Sequence, residues 1–354
     1  MARGFEIEDT PESDRAPGCL HPRETYDLIG HSHAETRFLQ VLNSGRLHHA
    51  WLLTGAPGIG KATLAYRMAR RLLGGSSILE GSLNIPQNDP VSQRIESRGH
   101  GNLFVVNRPW DSKTKKFKQN IPVDLIRSIG GFLQNTASEH KERRVVIIDN
   151  ADDLNTNAEN ALLKMLEEPP DRTVMILLSS SPGRLLPTIR SRCMSVALKE
   201  VPEADILEWL SKQGAGSPDL LSACSKLSRG GPGKAIALAQ NATDVLMPLK
   251  RFMESLDNNR ESVDMPIAKA LAAQKAAIPR ALFWDSLEDS IQSCAVYSQT
   301  GQWEGAFSAP KVNKTADKWL KAWTLVREQK AVEAAINLDK TATMLNTLSA
   351  IRAA

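Results

Sequence analysis

The sequence predicts an α/β fold, a parallel sheet flanked by helices, followed by a helical C-terminal part. Three observations lead to this prediction. Short apolar runs alternate with helical patterns between residues 25 and 202, as in a doubly wound domain. A glycine-rich loop directly follows the first run. After residue 202, strand-like runs stop and apolar residues recur every three or four positions.

Five predicted strands are short and rich in β-branched residues and leucine, as buried parallel strands are. They cover Ala50–Leu53, Leu103–Val106, Val145–Ile148, Val174–Leu178 and Met194–Leu198. Between the third and the fourth, Thr156 and Glu159 have the spacing of a capping box, which predicts a helix that starts at Thr156. Pro169 and Pro170 predict where that helix ends.

Changes of pattern divide the chain into four predicted parts. Residues 1–24 are rich in Asp, Glu, Pro and Arg without periodicity, which predicts a flexible N-terminal segment. Residues 25–202 form the α/β domain, and residues 203–242 form a small helical domain. Residues 243–354 form a helical bundle, which we expect to be the oligomerisation domain because it brings no candidate site residue.

Composition excludes several classes of protein. The 354 residues carry a net charge of +4, which permits contact with nucleic acid without requiring it. No apolar stretch approaches the roughly 18 residues that a membrane span needs, so we expect a cytoplasmic protein with no membrane contact. The cysteines are scattered and contain no C-x-x-C pair, which argues against disulfides and zinc: Cys19, Cys193, Cys224 and Cys294.

The loop after the first strand has the G-x-x-x-x-G-K spacing of a phosphate-binding loop. Its backbone N–H groups and its lysine are candidate nucleotide ligands, and the residues concerned are Gly55, Pro57, Gly58, Gly60 and Lys61. The next residue normally offers a hydroxyl group to Mg²⁺ but is Ala62 here, and Thr63 comes one position late. The sequence thus predicts a nucleotide site whose metal ligand is missing.

Asp149 ends the third predicted strand, where P-loop enzymes place the acidic residue that supports Mg²⁺. The next position often carries a glutamate that activates water, but Asn150 occupies it here, and an amide is not a general base. Asp152, together with Thr63, is a candidate replacement. A working ATPase that uses these replacements therefore stays an alternative, and Asp153 is a second carboxylate to consider.

Three further features each have two interpretations. Ser180, at the end of the fourth strand, can sense a phosphate or belong to an ordinary loop. Arg192 can neutralise a γ-phosphate on a neighbouring subunit, or be a surface arginine. A basic run with interleaved aromatic residues can bind nucleic acid or be a solvated loop; it contains Trp110, Lys113, Lys115, Lys116, Phe117 and Lys118.

Three strings of the sequence resemble the bacterial clamp-loader subunits of DNA polymerase III, which are AAA+ proteins. They are Arg46–Leu53 before the phosphate loop, Asn160–Pro170, and Ser191–Cys193. The resemblance implies an AAA+ P-loop α/β domain, a helical lid (203–242) and an all-α collar (243–354). Many members carry a four-cysteine zinc module after the first helix, but residues 74–102 contain no cysteine, so we expect no metal.

The resemblance also implies roles for particular residues. Arg192 corresponds to an arginine finger, and Lys234 stands where a second phosphate sensor is often found. ATP is the implied cofactor, at a weak or vestigial site. Ala62 and Asn150 favour the non-hydrolysing kind of subunit, and a hydrolytically active gamma/tau-like subunit is the alternative.

The implied assembly is a hetero-pentamer with gamma/tau and delta subunits. Through that complex the protein would reach the sliding clamp and primer–template DNA during replication. We expect no catalysis by the chain alone, because its part in the DNA-directed DNA polymerase holoenzyme would be structural and activating.

Overall fold

The computed structural model describes residues 11–16, 19–79, 81–134, 143–214, 216–258, 260–312, 314–335 and 338–353. These residues group into two compact units. The first contains residues 11–16 and 20–201, and the second contains Cys19 and residues 202–353.

The first unit is built on a parallel sheet with the strand order β2-β5-β6-β1-β7. The strands are β1 (Ala50–Thr54), β2 (Leu103–Val106), β3 (Trp110–Asp111), β4 (Lys116–Phe117), β5 (Arg144–Ile148), β6 (Thr173–Ser179) and β7 (Met194–Ala197). The predicted α/β class is confirmed, and so are the five predicted strands, within one residue at each end. The crossover connections put the loop after β1 and the ends of β5 and β6 at one edge of the sheet.

Helices cover both faces of this sheet. They are α1 (Ser32–Asn43), α2 (Lys61–Leu72), α3 (Pro90–Glu96), α4 (Val123–Gln134), α5 (Thr156–Glu167) and α6 (Pro187–Ser191). Because strand side chains alternate between faces, Trp51 of β1 packs into the apolar cluster that contains Leu64 of α2. Leu52 packs into the opposite cluster, with Leu162 of α5. Both faces are apolar, so the polar groups of the sheet concentrate at its ends.

The start of α5 differs from the predicted capping box. The residue that caps the helix is Asn155, whose side chain accepts a hydrogen bond from the N–H of Ala158 at 2.9 Å. Thr156 is already the first helical residue. Glu159 does not close a capping box, because its carboxylate accepts a hydrogen bond from the N–H of Leu186 at 3.2 Å. A distant contact thus displaced the local one, while the helix ends before Pro169 as predicted.

The basic run is a hairpin rather than an irregular loop. Strands β3 and β4 pair in antiparallel fashion, with Trp110 opposite Phe117 and Asp111 opposite Lys116. Two-residue strands are too short to produce an alternating pattern, so hydrophobic periodicity cannot reveal them.

The described residues of the second unit contain helices and connecting loops but no strand. Its helices are α7 (Glu203–Lys212), α8 (Pro218–Ser228), α9 (Pro232–Gln240), α10 (Leu246–Leu256), α11 (Asp264–Ala272), α12 (Ala277–Thr300), α13 (Ala316–Ala335) and α14 (Lys340–Ala353). A buried ion pair joins the last helix to α11, with Arg352 Nη2 2.7 Å from Asp264 Oδ1. No helix in the described ranges is both long enough and apolar enough to span a bilayer.

The four cysteines are free thiols. Burial raises the pKa of Cys193, Cys224 and Cys294 to about 12. Because the thiolate is the reactive form, these three side chains are inert at neutral pH.

Candidate nucleotide site

The glycine-rich loop connects the end of β1 to the first residue of α2, Lys61. Two of its glycines are required by backbone geometry and by space. Gly55 has a φ of +149°, and a Cβ atom there would lie 2.7 Å from the carbonyl oxygen of Leu198. Gly60 has a φ of +110°, and a Cβ atom there would lie 2.9 Å from the side chain of Leu28.

The loop leaves the N-terminus of α2 open. Gly60 is the N-cap residue and offers no side chain to accept from the amide groups of the first turn. Uncapped N–H groups and the positive end of the helix dipole suit a phosphate group. The backbone of the loop therefore fits the phosphate part of a nucleotide.

The ammonium group of Lys61 is bound by the chain itself. Its Nζ donates hydrogen bonds to the carbonyl oxygens of Gly55 at 2.8 Å and Ala56 at 2.9 Å, and to the hydroxyl oxygen of Ser180 at 2.9 Å. A lysine has three N–H donors, so all of them are used. Lys61 is only 8% exposed, and burial lowers its pKa against the opposing charges of Asp149 and Asp152.

Asp152 is occupied in a similar way. Its carboxylate accepts hydrogen bonds from the hydroxyl of Ser179 at 2.5 Å and from the backbone N–H groups of Ser180 at 2.7 Å and Ser181 at 2.9 Å. The amide nitrogen of Asn150 donates a fourth bond at 3.0 Å. Asp152 thus fixes the turn that follows β6, and its oxygens accept four hydrogen bonds from the chain itself.

Asp149 lies at the end of β5 and is deeply buried. Burial raises the pKa of its carboxyl group to about 7, and the nearby charge of Asp14 acts in the same direction while Lys61 opposes it. Ala62, at the position of the usual metal ligand, packs against the apolar core. These residues fit Mg²⁺ poorly, since one partly neutral carboxyl group and the displaced Thr63 are the donors that remain.

The segment from residue 11 to residue 16 brings Asp14 close to this region. Asp14 accepts a hydrogen bond from Asn107 Nδ2 at 2.8 Å and lies 3.2 Å from Nε2 of His21. Within the part of residues 1–24 that the structure describes, the segment therefore has defined contacts; residues 1–10, 17 and 18 lie outside it.

Glu12, Asp14 and His21 lie close enough together to suggest a metal site. Arg23 binds the carboxylate of Glu12 with two nitrogens, at 2.6 and 3.1 Å, and Arg98 contacts the same carboxylate. Two guanidinium groups already neutralise this acid and would repel a further cation. The cluster fits an ion-pair network better than a metal site.

Arg192 follows α6 and keeps part of its guanidinium group in solvent. Its Nη2 lies 2.9 Å from Oε1 of Glu167 at the end of α5, and its Nη1 donates to the carbonyl oxygen of Thr188 at 3.1 Å. The side chain is 36% exposed. One half-exposed ion pair and one backbone hydrogen bond therefore hold it, and such ion pairs contribute little to stability.

Lys234 lies in α9 of the second unit. Its Nζ is 2.8 Å from Oδ2 of Asp289 in α12, and Arg229 Nε is 2.8 Å from the other carboxylate oxygen. The structure therefore gives this lysine an acidic partner within its own unit.

The structure brings together the phosphate loop, Lys61, Asp149 and Ser180, and their role as nucleotide ligands stays a prediction. Sequence reasoning missed the carboxylate partner of Arg192 and the nearness of Asp14 to Asp149. Glu167 stands inside the string Asn160–Pro170, but neither spacing nor periodicity reveals a contact across 25 positions.

Comparison with known proteins gives a consistent picture. The profile of the family described as "DNA polymerase III, delta subunit" matches residues 30–202. DNA polymerase III subunit delta' of Pseudomonas aeruginosa is 34% identical over 240 residues, which cover 68% of this chain and 66% of the relative. The delta' subunit of Escherichia coli is 35% identical over 203 residues, which cover 56% of each chain.

More distant relatives carry other names. DNA polymerase III subunit gamma of Buchnera aphidicola, from Acyrthosiphon pisum, is 33% identical over 192 residues, or 53% of this chain and 49% of the relative. A gamma-subunit-related protein of Thermotoga maritima has a similar structure, with a TM-score of 0.47, 18% identity and coverage of 89% of this chain and 99% of that one. A likeness this remote says nothing about function. The matched region spans about two thirds of the Pseudomonas relative and about half of the others.

Proposed function

The chain belongs to the delta-prime family of DNA polymerase III clamp-loader subunits, and from this premise we propose that it is a ring member that does not hydrolyse ATP itself. In this proposal its partners are gamma/tau and delta subunits in a hetero-pentamer. The complex opens the sliding clamp and places it on primer–template DNA. The contribution of this chain is to hold the ring and to complete the active site of a neighbouring ATPase subunit.

The observation that carries the non-hydrolysing role is the set of side chains at the site, with Ala62 where a metal-binding hydroxyl is usual, Asn150 where a base is usual, and Asp152 bound to four donors of the chain. Hydrolysis needs a lysine free to meet the γ-phosphate, a metal ion and a group that positions water. Here Lys61 is bound to three oxygens, Ala62 carries no hydroxyl, and Asn150 is not a base. The working base of the alternative ATPase would be Asp152, whose carboxylate already accepts four hydrogen bonds.

The proposed activating residue is Arg192. A guanidinium group offers a planar fork of donors that suits phosphate oxygens, and this one is half exposed with a single acidic partner. Releasing Glu167 would free it for the γ-phosphate of an adjacent subunit. Residues 243–354 are the proposed collar, and Lys234 is the proposed second phosphate sensor.

The non-hydrolysing role is tested with the purified full chain. We expect nucleotide binding that is weak or absent and turnover far below about 1 s⁻¹, the lower end of ordinary enzyme rates. Lys61→Ala is the control, because a contaminating ATPase would be unaffected by it. Turnover at or above that rate, abolished by Lys61→Ala, would establish the gamma/tau-like ATPase instead.

Assembly is tested by mixing the full chain with gamma/tau and delta subunits and measuring the mass of the product. We expect a stoichiometric complex that loads a clamp on primed DNA only when this chain is present. A complete and active loader formed without the chain would contradict the proposed place in the ring.

A further inference from the structure

Residues 108–118, called the basic hairpin below, form an ordered projection of the first unit. The rings of Trp110 and Phe117 meet edge to face, with centroids 5.0 Å apart and planes at 72°. The turn is fixed by Asp111, whose carboxylate accepts hydrogen bonds from the N–H groups of Lys113 at 2.9 Å and Thr114 at 3.3 Å. The position of the turn is thus set before any partner binds.

The base of the hairpin is tied to the rest of the unit. Lys118 N–H donates to the carbonyl oxygen of Pro109 at 2.9 Å, and Ser13 Oγ donates to the carbonyl oxygen of Arg108 at 3.0 Å. Nε of Arg108 lies 3.1 Å from Oδ2 of Asp153. The first contact closes the base of the hairpin, and the other two join that base to Ser13 and Asp153.

The hairpin carries a concentrated positive charge. Its eleven residues contain five basic side chains against the single carboxylate of Asp111. The four lysines are all exposed: Lys113, Lys115, Lys116 and Lys118. Among the residues described by the structure, no carboxylate lies within ion-pair distance of any of these four ammonium groups, whereas Arg108 has Asp153. These four ammonium groups are therefore open to solvent and available to an anionic partner.

We propose that the basic hairpin binds the sugar–phosphate backbone of DNA without sequence preference. This proposal rests on the proposed function, because a clamp-loader subunit works next to primer–template DNA. Lysines are compact charges on flexible stems that neutralise phosphates one at a time. Four of them on one turn suit the regular charge of a nucleic-acid backbone.

The same hairpin suits a protein partner poorly. Protein interfaces are rich in aromatic and arginine anchors and depleted in lysine. Here Trp110 and Phe117 pack on each other, and Arg108 lies over the Phe117 ring at 6.0 Å from its centroid. The edge-to-face contact stiffens the hairpin, and the exposed charged groups of the hairpin are its four lysines, whereas its rings are partly buried, which favours contact with phosphates over contact with bases.

The test measures binding of the full chain to a fluorescent primer–template duplex by anisotropy at several salt concentrations. The variant changes Lys113, Lys115, Lys116 and Lys118 to glutamine. Each lost phosphate contact flattens the slope of log K against log salt by about 1, so we expect a slope shallower by about 3 to 4. The affinity near 0.1 M salt should fall at least about tenfold with it.

A matched control removes the same charge elsewhere. It changes four exposed lysines of the second unit to glutamine, namely Lys269, Lys275, Lys318 and Lys321. We expect the control to keep most of the wild-type slope. Equal losses in both variants, or no DNA binding by the wild-type chain, would overturn the proposal. An unchanged DNA slope with lost binding to a partner subunit or to the clamp would also overturn it and make the hairpin a protein contact.

Failure of this proposal is distinguishable from failure of the proposed function. The reconstituted complex with the hairpin variant should keep its assembly and its basal ATP hydrolysis. The DNA concentration that gives half-maximal stimulation of ATP hydrolysis should rise. Trp110→Leu gives a second reading, since it removes the ring without removing charge. A loss with Trp110→Leu that is confined to single-stranded DNA would indicate base stacking and overturn the phosphate-only contact.

Discussion

The charged groups of the phosphate loop and the outward-facing cations of the first unit differ in how many partners they have within the chain. At the loop, Lys61 donates three hydrogen bonds to atoms of the chain, and Asp152 accepts its hydrogen bonds from other groups of the chain. Arg192 has one half-exposed partner, and the lysines of the basic hairpin have no ion-pair partner within the described ranges. Lys61 and Asp152 therefore bind within the chain, while the surface cations are available to other molecules.

Mutations in the two regions are therefore expected to have opposite effects on stability and on activity. Substitutions at the loop should change stability and leave the activity of the complex largely intact. Substitutions at the exposed cations should change the activity of the complex and leave stability intact. Four predictions follow from this division, in order of decreasing effect.

The largest effect is expected for Arg192→Ala. A trans-acting arginine finger contributes about 10³ to 10⁵ in turnover, so stimulated hydrolysis at the neighbouring site should fall by about 10³ or more. The loss over the whole complex is smaller when other sites keep their own fingers. The measurement is clamp- and DNA-stimulated ATPase of complexes shown to be equally assembled.

Arg190→Ala is the matched control, because Arg190 is an exposed neighbour without a proposed role. Arg192→Lys should behave like alanine, since an ammonium group does not reproduce the fork. Unchanged rates with Arg192→Ala would make Arg192 an ordinary surface residue and would contradict the proposal that it acts on a neighbouring subunit.

The second effect is a loss of stability with Asp152→Ala. Four donors lose their acceptor, and each group left unsatisfied costs about 1 to 3 kcal/mol when water does not reach it. With partial access to water, we expect the free energy of unfolding to fall by about 2 to 4 kcal/mol. Asp153→Ala, which breaks one half-exposed ion pair, should cost about 1 kcal/mol or less.

Denaturant unfolding of the full chain measures both variants. Equal costs at Asp152 and Asp153 would contradict a structural role for the first carboxylate. Turnover that appears in the wild type and disappears only with Asp152→Ala would make it a catalytic base.

The third effect concerns Asp149 and pH. Its pKa is raised to about 7 in the folded chain from about 4 in an unfolded one. The folded state therefore binds the proton more tightly, so stability falls as pH rises from about 4 to about 7 and then stays level. Asp149→Asn removes this penalty, and its gain over wild type should be larger at pH 8 than at pH 5 by about 2 kcal/mol.

Thermal or denaturant unfolding at the two pH values supplies the measurement. An identical difference at pH 5 and pH 8 would mean that Asp149 is charged throughout. A charged Asp149 would be a better metal ligand than its burial implies, and the loop would then resemble the site of an active ATPase more than we propose.

The smallest effect is expected for Glu167→Gln, which weakens the restraint on Arg192. The half-exposed pair should contribute less than about 1 kcal/mol to stability. Stimulated ATPase of the complex should be no lower than wild type, because the arginine itself is kept. Glu168→Gln, its exposed neighbour, is the control, and a large loss of activity confined to Glu167→Gln would show that the pair positions the finger.

Sequence reasoning identified the elements with strong local signals. The five sheet strands, the phosphate loop and the end of α5 all follow from patterns of a few consecutive residues. It did not identify the three distant partners of Asp152, which lie 27 to 29 positions away, or the pairing of Arg192 with Glu167. Those contacts depend on which strands lie side by side, and periodicity carries no information about that.

The capping box at Thr156 shows the same limit on a smaller scale. The spacing was present, yet Asn155 caps the helix and Glu159 binds Leu186. A local motif predicts one hydrogen bond for a side chain, and a more stable hydrogen bond to a residue distant in sequence can replace it.

The three hydrogen bonds of Lys61 have a consequence for chemical labelling. Reagents that acylate lysine need an accessible amine, so the hairpin lysines should label quickly while Lys61, 8% exposed, should hardly label at all. A nucleotide that enters the loop must first draw this ammonium group away from Gly55, Ala56 and Ser180. Slow labelling of Lys61 in the chain without nucleotide would therefore show that these three hydrogen bonds persist in solution, in a subunit whose proposed role leaves no turnover to measure.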